Sequence, residues 1–574
     1  MTDTSAIDTL QAVWGQLTAP GAQFAWSEQE VRGMTMRVFD AAPPDMRFIW
    51  ELSAGYADQP YLVFEDETLT YAEAHAVVRR LAQVLAEDHG VGRGDRVAIA
   101  MRNYPEWVLA YWATVCLGAA VVGVNAWWTS AELEYGLGDS RPRVIIADDE
   151  RVERLLPILD GLRAEGPLSL ITVRSDGELP ADAVRWSDVI DAAEAPDALP
   201  PVEIDPDDDV CIFYTSGTTG FPKGAQLTHR GSVHNLMHCA FAAAASAAAT
   251  ALVAGEEPDP TPPTPTIMAP TPLFHVTANN CLLHPGTLTG AKMVFLHRWD
   301  AGRALELIER EAVTTFSAVP TMSRELLAHP DWDKRDVSSL ATMGGGGAAV
   351  QPDLVDKINA ADGEKAATTG YGLTETHGII TAVGHAFFQA RPSSVGPVMP
   401  TVEAKVVDPV GDEVPPGERG ELCVKGPIVI KGYLNKPKAT AEAIVDGWFR
   451  TGDIVYLDED GFVHIVDRAK DMVLRGGENI YCAEVEAAVY EHPSVAETVV
   501  FGVPDERLGE TVGVAIHLAE DTTLTEEELR AHLQPLLAKY KIPEHVWFRP
   551  DPLPQNASGK FLKRTVRDEL LAAD

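Results

Sequence analysis

The sequence lacks several features that would point to particular classes of protein. Basic residues are outnumbered, with 46 Lys and Arg against 85 Asp and Glu, for a formal charge of −39. Such a surface repels phosphates, so we expect no nucleic-acid partner and attribute the charge to solubility. The start, MTDTSAIDTL, has no basic-then-apolar leader. No run reaches the roughly 18 strongly apolar residues of a membrane span, and the alanine-rich residues 240–254 come nearest. We therefore expect no membrane span.

Cysteine is also scarce. The six cysteines are Cys116, Cys211, Cys239, Cys281, Cys423 and Cys482. They are far apart in sequence, with no CxxC pair and no metal-ligand spacing, which predicts a reducing compartment and a cytoplasmic location. A chain of 574 residues with 46% apolar and 23% charged residues is expected to form a globular protein of two or more domains.

The hydrophobic pattern predicts an α/β fold. Apolar runs at residues 97–101, 120–124, 144–147 and 168–173 indicate buried strands. Helices alternate with them, one opened by a capping box at Thr70 and Glu73, and another near Pro105. This alternation is typical of doubly wound, mostly parallel sheets.

The pattern changes twice further along the chain. From about residue 405, short strands with Pro and Gly turns predict a small antiparallel, β-barrel-like subdomain. After residue 466, a helix at 483–490, strands at 495–503 and 512–518, and an amphipathic helix at 525–540 predict a compact α+β module. We predict a large domain over residues 1–466 and a smaller, mobile C-terminal domain over 467–574.

The rest of the sequence is arranged around residues 214–224, YTSGTTGFPKG, which follow a short apolar strand at 210–213. Gly217 and Gly220 let the backbone approach a ligand and direct N–H groups toward phosphates. Lys223 adds a mobile charge. Thr215, Ser216, Thr218 and Thr219 add hydroxyl donors. A plain Gly/Ser/Thr surface loop is the alternative, and Pro222 excludes the spacing of P-loop NTPases.

The whole string resembles the nucleotide signature of the adenylate-forming superfamily, which includes acyl- and aryl-CoA ligases, peptide-synthetase adenylation domains and beetle luciferases. The other motifs of the family follow in the same order, and the resemblance covers roughly residues 50–565. These motifs are PTPLFHVTANN, MGGGGAAV, TGYGLTET, GWFRTGD, VDRAKDMVLRGG and PLPQNASGKFLKR.

The resemblance implies a role for one or more residues of each motif. Tyr371 offers a flat face to adenine, Thr374 contacts the α-phosphate and the substrate carboxylate, and Glu375 holds Mg²⁺. Asp453 accepts the ribose hydroxyls, and Arg468 reaches the ribose or a phosphate. The glycine-rich segments that lie against the nucleotide contain Gly346, Gly347, Ala348, Gly370 and Gly372.

Five more positions complete the implied site. His275 gates the acyl pocket, and Lys560 is the catalytic lysine. Lys470 stands at the hinge between the domains, while Gly476 and Gly477 line the pantetheine tunnel after the small domain has rotated. Taken alone, a histidine is usually structural and a lysine near a C-terminus is usually exposed, so these roles depend on the motifs.

The implied activity is that of an ATP-dependent carboxylic acid–CoA ligase that uses ATP, Mg²⁺ and coenzyme A. Acyl-adenylate and pyrophosphate form first, followed by acyl-CoA and AMP. LFHVTANN contains no acid to pair with an ammonium, which argues against amino-acid substrates. Medium- or long-chain fatty acids are favoured, and the family also permits a homodimer. Aryl or steroid-like acids, transfer to a carrier protein and a luciferase-type oxygenase are the alternatives. A non-catalytic ATP-binding regulator would have no reason to keep Lys560.

Overall fold

The first part of the chain alternates strands and helices. The computed structural model describes residues 3–191, 195–215, 221–259, 263–348, 350–361, 365–468, 471–475 and 478–573. Up to the glycine-rich loop the elements are α1 (Asp3–Leu17), β1 (Trp26–Val31), β2 (Met34–Phe39), α2 (Met46–Leu52), β3 (Pro60–Phe64), β4 (Glu67–Thr70), α3 (Tyr71–Glu87), β5 (Arg96–Ala100), α4 (Pro105–Val115), β6 (Ala120–Gly123), α5 (Ser130–Ser140), β7 (Val144–Asp148), α6 (Asp149–Leu155), α7 (Leu159–Ala164), β8 (Ser169–Val173), β9 (Val184–Arg185), α8 (Trp186–Asp191) and β10 (Asp209–Thr215).

The alternation continues beyond the loop. These elements are β11 (Lys223–Thr228), α9 (His229–Ala254), β12 (Thr266–Ala269), α10 (Val276–Ala278), a π-helical segment (Asn279–Leu283), α11 (His284–Thr289), β13 (Lys292–Phe295), α12 (Ala301–Glu311), β14 (Thr315–Ser317), α13 (Pro320–Ala328), β15 (Thr342–Gly346), α14 (Pro352–Ala360), β16 (Ala366–Leu373), a 3₁₀ turn (Thr374–Thr376), β17 (Gly378–Gly384) and α15 (His385–Ala390).

The last part of the chain is richer in strands. It contains β18 (Gly396–Pro397), β19 (Glu403–Val407), β20 (Gly420–Lys425), α16 (Pro437–Ala443), β21 (Ile444–Val445), β22 (Trp448–Leu457), β23 (Phe462–Arg468), β24 (Val473–Arg475), β25 (Glu478–Ile480), α17 (Cys482–Tyr490), β26 (Val495–Asp505), β27 (Gly509–Leu518), α18 (Glu526–Leu533), β28 (His545–Arg549) and α19 (Lys563–Ala573).

Two mostly parallel sheets form the body of the large domain. One has the order β11-β10-β6-β5-β7-β8-β9, and the other β17-β16-β15-β14-β12-β13-β3-β4. Their central strands pair in parallel, while β11, β17 and β4 pair antiparallel at the edges. Strands buried on both faces by crossover helices explain the continuous apolar runs in the sequence. The predicted α/β fold is confirmed.

The two smaller sheets that follow in the chain also agree with the prediction of a small antiparallel subdomain and a C-terminal α+β module. An antiparallel sheet, β18-β23-β22-β20-β19, follows the parallel ones, and β21 pairs with β22. Its described strands run in an open order from β18 to β19. The C-terminal sheet, β25-β24-β27-β26 with β28 beside β27, carries α17, α18 and α19. Strand β23 ends at Arg468 and β24 begins at Val473, and the domain boundary between residues 466 and 467 stays a prediction.

One expectation about helices needs correction. The amphipathic helix predicted over residues 525–540 ends at Leu533, because Pro535 lacks an N–H and its ring clashes with the preceding turn. The alanine-rich residues 240–254 form the later part of α9, which begins at His229 and is capped by Thr228, whose side chain accepts a hydrogen bond from the Gly231 N–H. The N-terminal 60 residues gave few signals, yet they form α1, the β1–β2 hairpin and α2.

Helix α9 is the one helix of the described residues that is long and apolar enough, by length and composition, to cross a membrane. Its first three turns are nevertheless buried in the protein and polar. The Asn235 side chain donates to the Asn280 carbonyl at 3.0 Å, and His238 Nε2 lies 2.7 Å from Thr401 Oγ1. These contacts identify α9 as a core helix of the large domain in this structure. The expectation that the chain has no membrane span stays a prediction.

Candidate active site

The predicted nucleotide residues gather at the carboxyl ends of parallel strands. Strand β10 ends at Thr215, β15 at Gly346 and β16 at Leu373, which leads into the turn that carries Glu375. This edge of an open α/β sheet is where ligands usually bind. Thr215 pairs with Lys223 across β10 and β11, so both ends of the glycine-rich loop lie at this edge. Part of the predicted phosphate site lies outside the described residues: Ser216, Gly217, Thr218, Thr219 and Gly220.

Glu375 is held by two hydroxyl groups. Its Oε1 accepts hydrogen bonds from Thr215 Oγ1 at 3.2 Å and from the Tyr433 hydroxyl at 2.9 Å. Burial and the Glu375 charge raise the pKa of Tyr433, so that hydroxyl stays protonated and remains a donor. The Lys223 Nζ stands 5.0 Å from the centre of the Tyr433 ring. Tyr433 therefore links the predicted metal ligand to the predicted phosphate lysine.

The buried side chain of His377 fixes the turn that carries Glu375. This residue has a φ of +56° and is fully buried. Its Nε2 accepts the Thr228 N–H at 2.8 Å, while Nδ1 donates to the Ile428 carbonyl at 2.6 Å. Burial lowers the pKa of His377 to about 3, which keeps the neutral ring that this donor–acceptor pair requires. Thr374, at the start of the same turn, is half-buried.

Tyr371, Asp453 and Arg468 form a second network. The Tyr371 hydroxyl donates to Asp453 Oδ2 at 2.7 Å, and Arg468 Nε lies 3.0 Å from Asp453 Oδ1. Asp453 and Arg468 face each other across β22 and β23, which sets their spacing. Burial raises the pKa of Asp453, and the charge of Arg468 and the Tyr371 bond oppose this. The structure thus brings three predicted nucleotide residues, from separate motifs, into one cluster.

The glycines of this edge are required by close backbone contacts. Gly346 lies opposite Gly370 in β15 and β16, and a Cβ there would stand 2.5 Å from the Gly370 carbonyl oxygen. Gly347 has a φ of +88°, and the exposed Ala348 follows it. A Cβ at Gly372 would come within 1.6 Å of the Gly378 carbonyl oxygen. Gly372 therefore serves strand packing, and its predicted place beside the nucleotide stays a prediction.

Lys560 stands at the tip of a tight turn of the small domain. Asn556 Oδ1 accepts the backbone N–H groups of Ser558 and Lys560 at 2.9 and 3.0 Å, and Gly559 has a φ of +77°. A Cβ on Gly347 would lie 3.3 Å from Lys560 Cε, so the lysine reaches the glycine segment of the large domain. The side chain keeps solvent contact in this cleft. Partial desolvation and the charge of Arg468 nevertheless lower the pKa of Lys560 to about 8.

His275 is close enough to Lys560 to experience its charge. Burial and the lysine charge lower the pKa of His275 to about 3, so its ring is neutral near pH 7. Its ring centre stands 4.9 Å from that of Phe274, which meets Trp127 edge-on. His275 directly precedes α10 and the π-helical segment, which packs against α9. A neutral histidine at this position can border an apolar pocket.

Three further predicted residues lie outside the described part of the chain: the hinge residue Lys470 and the tunnel glycines Gly476 and Gly477. Glu486, later in the small domain, is mostly buried. It is paired with Lys563 at 2.7 Å and accepts the Val500 N–H at 2.8 Å. Tyr433 and His377 were missed as supports of the site. His377 directly follows the TGYGLTET motif, whereas Tyr433 lies in none of the motifs, and only the folded chain shows which groups they contact.

Comparisons with known proteins agree with this arrangement. A sequence model of the AMP-binding enzyme family matches residues 49–434, and one of the AMP-binding enzyme C-terminal domain matches residues 484–560. A feruloyl-CoA synthase of an Amycolatopsis species is 37% identical over 87% of this chain and 93% of its own length. A long-chain-fatty-acid–CoA ligase of Bacillus subtilis (strain 168) is 34% identical over 90% of this chain and 93% of its own.

Solved structures are similar over the same extent. The crystal structure of ATP-bound MatB from Rhodopseudomonas palustris has a TM-score of 0.78 and 28% identity, covering 92% of this chain and 99% of that one. The match includes both domains in the order that the sequence motifs predict. The chain therefore belongs to the AMP-binding enzyme family, and it is an ATP-dependent acid–thiol ligase of the acyl-CoA synthetase type.

Proposed function

We propose that this acid–CoA ligase activates medium- or long-chain fatty acids, with Glu375 and Lys560 acting on the same α-phosphate from opposite domains. The observation that carries the proposal is the position of Lys560. Its side chain extends from the small domain to Gly347 of the large domain. The charges of Asp453 and Glu375 act on its ammonium there. An ammonium in that position can neutralise charge that builds up during adenylation.

The large domain supplies the nucleotide cradle. Tyr371 presents its ring beside the glycine segment, and Asp453 retains lone pairs for the ribose hydroxyls beside its bonds to Tyr371 and Arg468. Thr215 and Lys223 hold the two ends of the glycine-rich loop at the strand edge. Backbone N–H groups of such a loop and the lysine charge together suit a triphosphate.

The residues present fit a magnesium ion. Oε1 of Glu375 is taken by Thr215 and Tyr433, and Oε2 has no hydrogen-bond partner among the described residues. A single free carboxylate oxygen suits Mg²⁺, which keeps several waters and completes its coordination with phosphate oxygens. When bound, the ion would neutralise phosphate charge. Glu375 itself would hold it, and Tyr433 would keep the carboxylate oriented.

In the first step a carboxylate oxygen of the acid attacks the α-phosphorus of ATP, and pyrophosphate leaves. Lys560 stabilises the charge between the two reacting groups. In the second step the thiol sulfur of coenzyme A attacks the acyl carbonyl carbon, and AMP leaves. We propose that the small domain rotates about Lys470 between the steps, removing Lys560 and bringing Gly476 and Gly477 to the site.

The choice of acid rests on the groups that border the pocket. His275 is neutral, and the half-buried Thr277 and Ile379 carry no charge. A charged substrate tail would lose hydration there without gaining a partner, so an apolar tail is favoured. An aromatic acid is the second candidate, because a similar protein is named feruloyl-CoA synthase.

The test is pyrophosphate release and thioester formation across a panel of acids, with and without coenzyme A. We expect the highest kcat/KM with fatty acids between octanoic and palmitic acid. A higher kcat/KM with ferulic or coumaric acid would replace the fatty-acid assignment with the aromatic one. Adenylate formation without thioester on every acid would point to a carrier protein as the acceptor.

A further inference from the structure

One carboxylate lies just before the proposed hinge and is buried against the small domain. Asp467 is on β23, opposite Ile454 of β22, so its backbone belongs to the antiparallel sheet of the large domain. Its Oδ2 accepts the backbone N–H of Cys482, the first residue of α17, and its Oδ1 accepts the N–H of Arg468 at 2.7 Å. A single side chain therefore joins that sheet to a helix of the small domain.

The contact lies at the start of a helix that has no cap of its own. Tyr481 occupies the N-cap position of α17, and its side chain makes no capping hydrogen bond. The first N–H groups of a helix lack partners within the helix, and a negative charge is favourable beside them. Asp467 supplies both the acceptor and the charge, from the other side of the proposed hinge.

The start of α17 is connected to the turn that presents Lys560. Glu486 of α17 pairs with Lys563 at 2.7 Å, and Lys563 opens α19 three residues after Lys560. At the same end of α17, the Arg419 guanidinium of the large domain lies 4.8 Å from the centre of the Tyr481 ring. A shift of α17 away from the large domain would therefore also shift the turn of Lys560.

The ionisation of Asp467 suits an acceptor near neutral pH. Burial raises the pKa of Asp467 to about 6, with a smaller contribution from the charge of Glu486. The charge of Lys563 and the two backbone N–H donors oppose this rise, because they stabilise the carboxylate. At pH 7 the side chain is therefore mainly ionised and accepts both hydrogen bonds.

We propose that Asp467 is a positioning residue that holds the small domain in the orientation in which Lys560 reaches Gly347, and that this contact breaks before thioester formation. The hinge proposed at Lys470 lies between Asp467 and Cys482 in the chain, so rotation there would move these two residues apart. This role depends on the proposed function and adds to it a residue that touches no reacting atom.

The first test removes the contact from either side. Asp467→Ala removes the acceptor. Cys482→Pro removes the donor and keeps the helix, because proline is favoured at the first helical position. Tyr481, with φ −88° and ψ 118°, already has the backbone conformation of a residue before proline. The matched control Cys482→Ala loses the thiol, which donates to the Asp471 carbonyl at 2.9 Å, but keeps the N–H.

The two half-reactions are assayed separately, as pyrophosphate release with an accepted acid and as thioester formation from pre-made acyl-adenylate. We expect Asp467→Ala and Cys482→Pro each to slow adenylation about tenfold, while thioester formation is unchanged or slightly faster. The double variant should be no slower than either single one, Asp467→Asn should recover part of the rate, and Cys482→Ala should resemble the wild type. Equal losses in both half-reactions, or wild-type adenylation in Cys482→Pro, would overturn the positioning role.

The second test measures hydrogen exchange in peptides that cover residues 478–490, and it needs no turnover. We expect the start of α17 to exchange faster in Asp467→Ala than in the wild type. In the wild type, exchange there should rise when coenzyme A and a sulfamoyl analogue of the acyl-adenylate are added together. Unchanged exchange in the variant would overturn the contact, and unchanged exchange with both ligands would overturn its release. If no acid is activated at all, the proposed function fails, and exchange in the unliganded protein still decides whether Asp467 holds α17.

Discussion

The two domains hold their parts of the active site in different ways. In the large domain, Glu375 accepts hydrogen bonds from two hydroxyl groups at 3.2 Å or less, and Asp453 accepts one from the Tyr371 hydroxyl at 2.7 Å. In the small domain, Lys560 stands on a turn whose Gly559 carbonyl accepts a long hydrogen bond of 3.4 Å from Thr321 Oγ1. We infer that the nucleotide cradle is permanent, whereas the lysine is presented by contacts weak enough to be broken during turnover.

Two other contacts between the domains support this interpretation. The Arg324 guanidinium lies 4.9 Å from the centre of the Tyr490 ring, and that of Arg419 lies 4.8 Å from the centre of the Tyr481 ring. Each pair joins an arginine of the large domain to a tyrosine of the small one. Cation–π contacts of this kind contribute about 0.5–1 kcal/mol at exposed sites. A few such contacts can favour one domain orientation without preventing another.

The largest expected effect comes from removing the ammonium group of Lys560. Lys560→Ala should reduce adenylate formation at least about a hundredfold, on the order of 3 kcal/mol, because charge on the α-phosphate loses its ammonium. With pre-made acyl-adenylate, thioester formation should stay near the wild-type rate. The variant Lys539→Ala, at an exposed lysine, serves as the control.

The hinge variant Lys470→Pro should show the opposite pattern, since a fixed φ hinders rotation of the small domain. Equal losses in both half-reactions for both variants would refute the two-pose mechanism.

Altering the permanent cradle should affect both half-reactions. Glu375→Gln replaces a carboxylate with an amide oxygen, a poorer ligand for a hard cation. We expect adenylate formation and adenylate consumption each to fall about thirtyfold, or roughly 2 kcal/mol. Stopped-flow assays of the separate half-reactions measure this, with the surface variant Glu418→Gln as control. Wild-type rates for Glu375→Gln at sub-millimolar Mg²⁺ would exclude the proposed metal role.

Acid should destabilise the large domain through its buried histidines. Burial lowers the pKa of His229, His284 and His377 to about 3 and that of His234 to about 4, against about 6.5 when unfolded. The contribution of these neutral histidines to the free energy of unfolding is complete above pH 6.5. It is lost as the pH falls, because the unfolded chain then binds more protons than the folded one. Near pH 5, each histidine should lower the free energy of unfolding by about 2 kcal/mol. An unchanged urea midpoint of tryptophan fluorescence between pH 7 and pH 5 would contradict this.

A rise in pH should instead deprotonate Lys560 of the small domain. The lowered pKa of Lys560, about 8, means that its ammonium is lost as the pH rises through that value. The kcat/KM for ATP in adenylation, which reports the free enzyme, should fall about tenfold near pH 9. Lys560→Arg keeps its charge and should remove this alkaline limb at a lower absolute rate. An identical limb in that variant would assign the titration to another group.

The smallest effect is expected at the contact between the domains. Tyr490→Leu removes the ring beneath Arg324 while keeping an apolar side chain. We expect a two- to fivefold slower adenylation, matching about 0.5–1 kcal/mol, and an unchanged or slightly faster thioester step. Phenylalanine at this position keeps the ring and should restore adenylation. A uniform loss in both half-reactions would mean that the ring supports folding rather than domain orientation.

Much of the fold was predictable because its signals are local. The capping box at Thr70 opens α3, and Asp300 caps α12 by accepting the Arg303 N–H at 2.7 Å. The buried strands of the parallel sheets lie within a residue or two of the apolar runs. The helix after Thr525 was predicted too long, since amphipathic periodicity continued past Pro535 although the backbone did not.

The sequence by itself determined the family, the order of the motifs and the chemical type of each candidate residue. These depend on short strings whose residue types suit phosphate, diol and metal, wherever the strings lie in space. Only the tertiary structure decided that Tyr433 and His377 support Glu375 and that Gly372 serves strand packing. Such contacts join residues far apart in the chain, and local periodicity carries no information about which distant side chain will fill the space opposite.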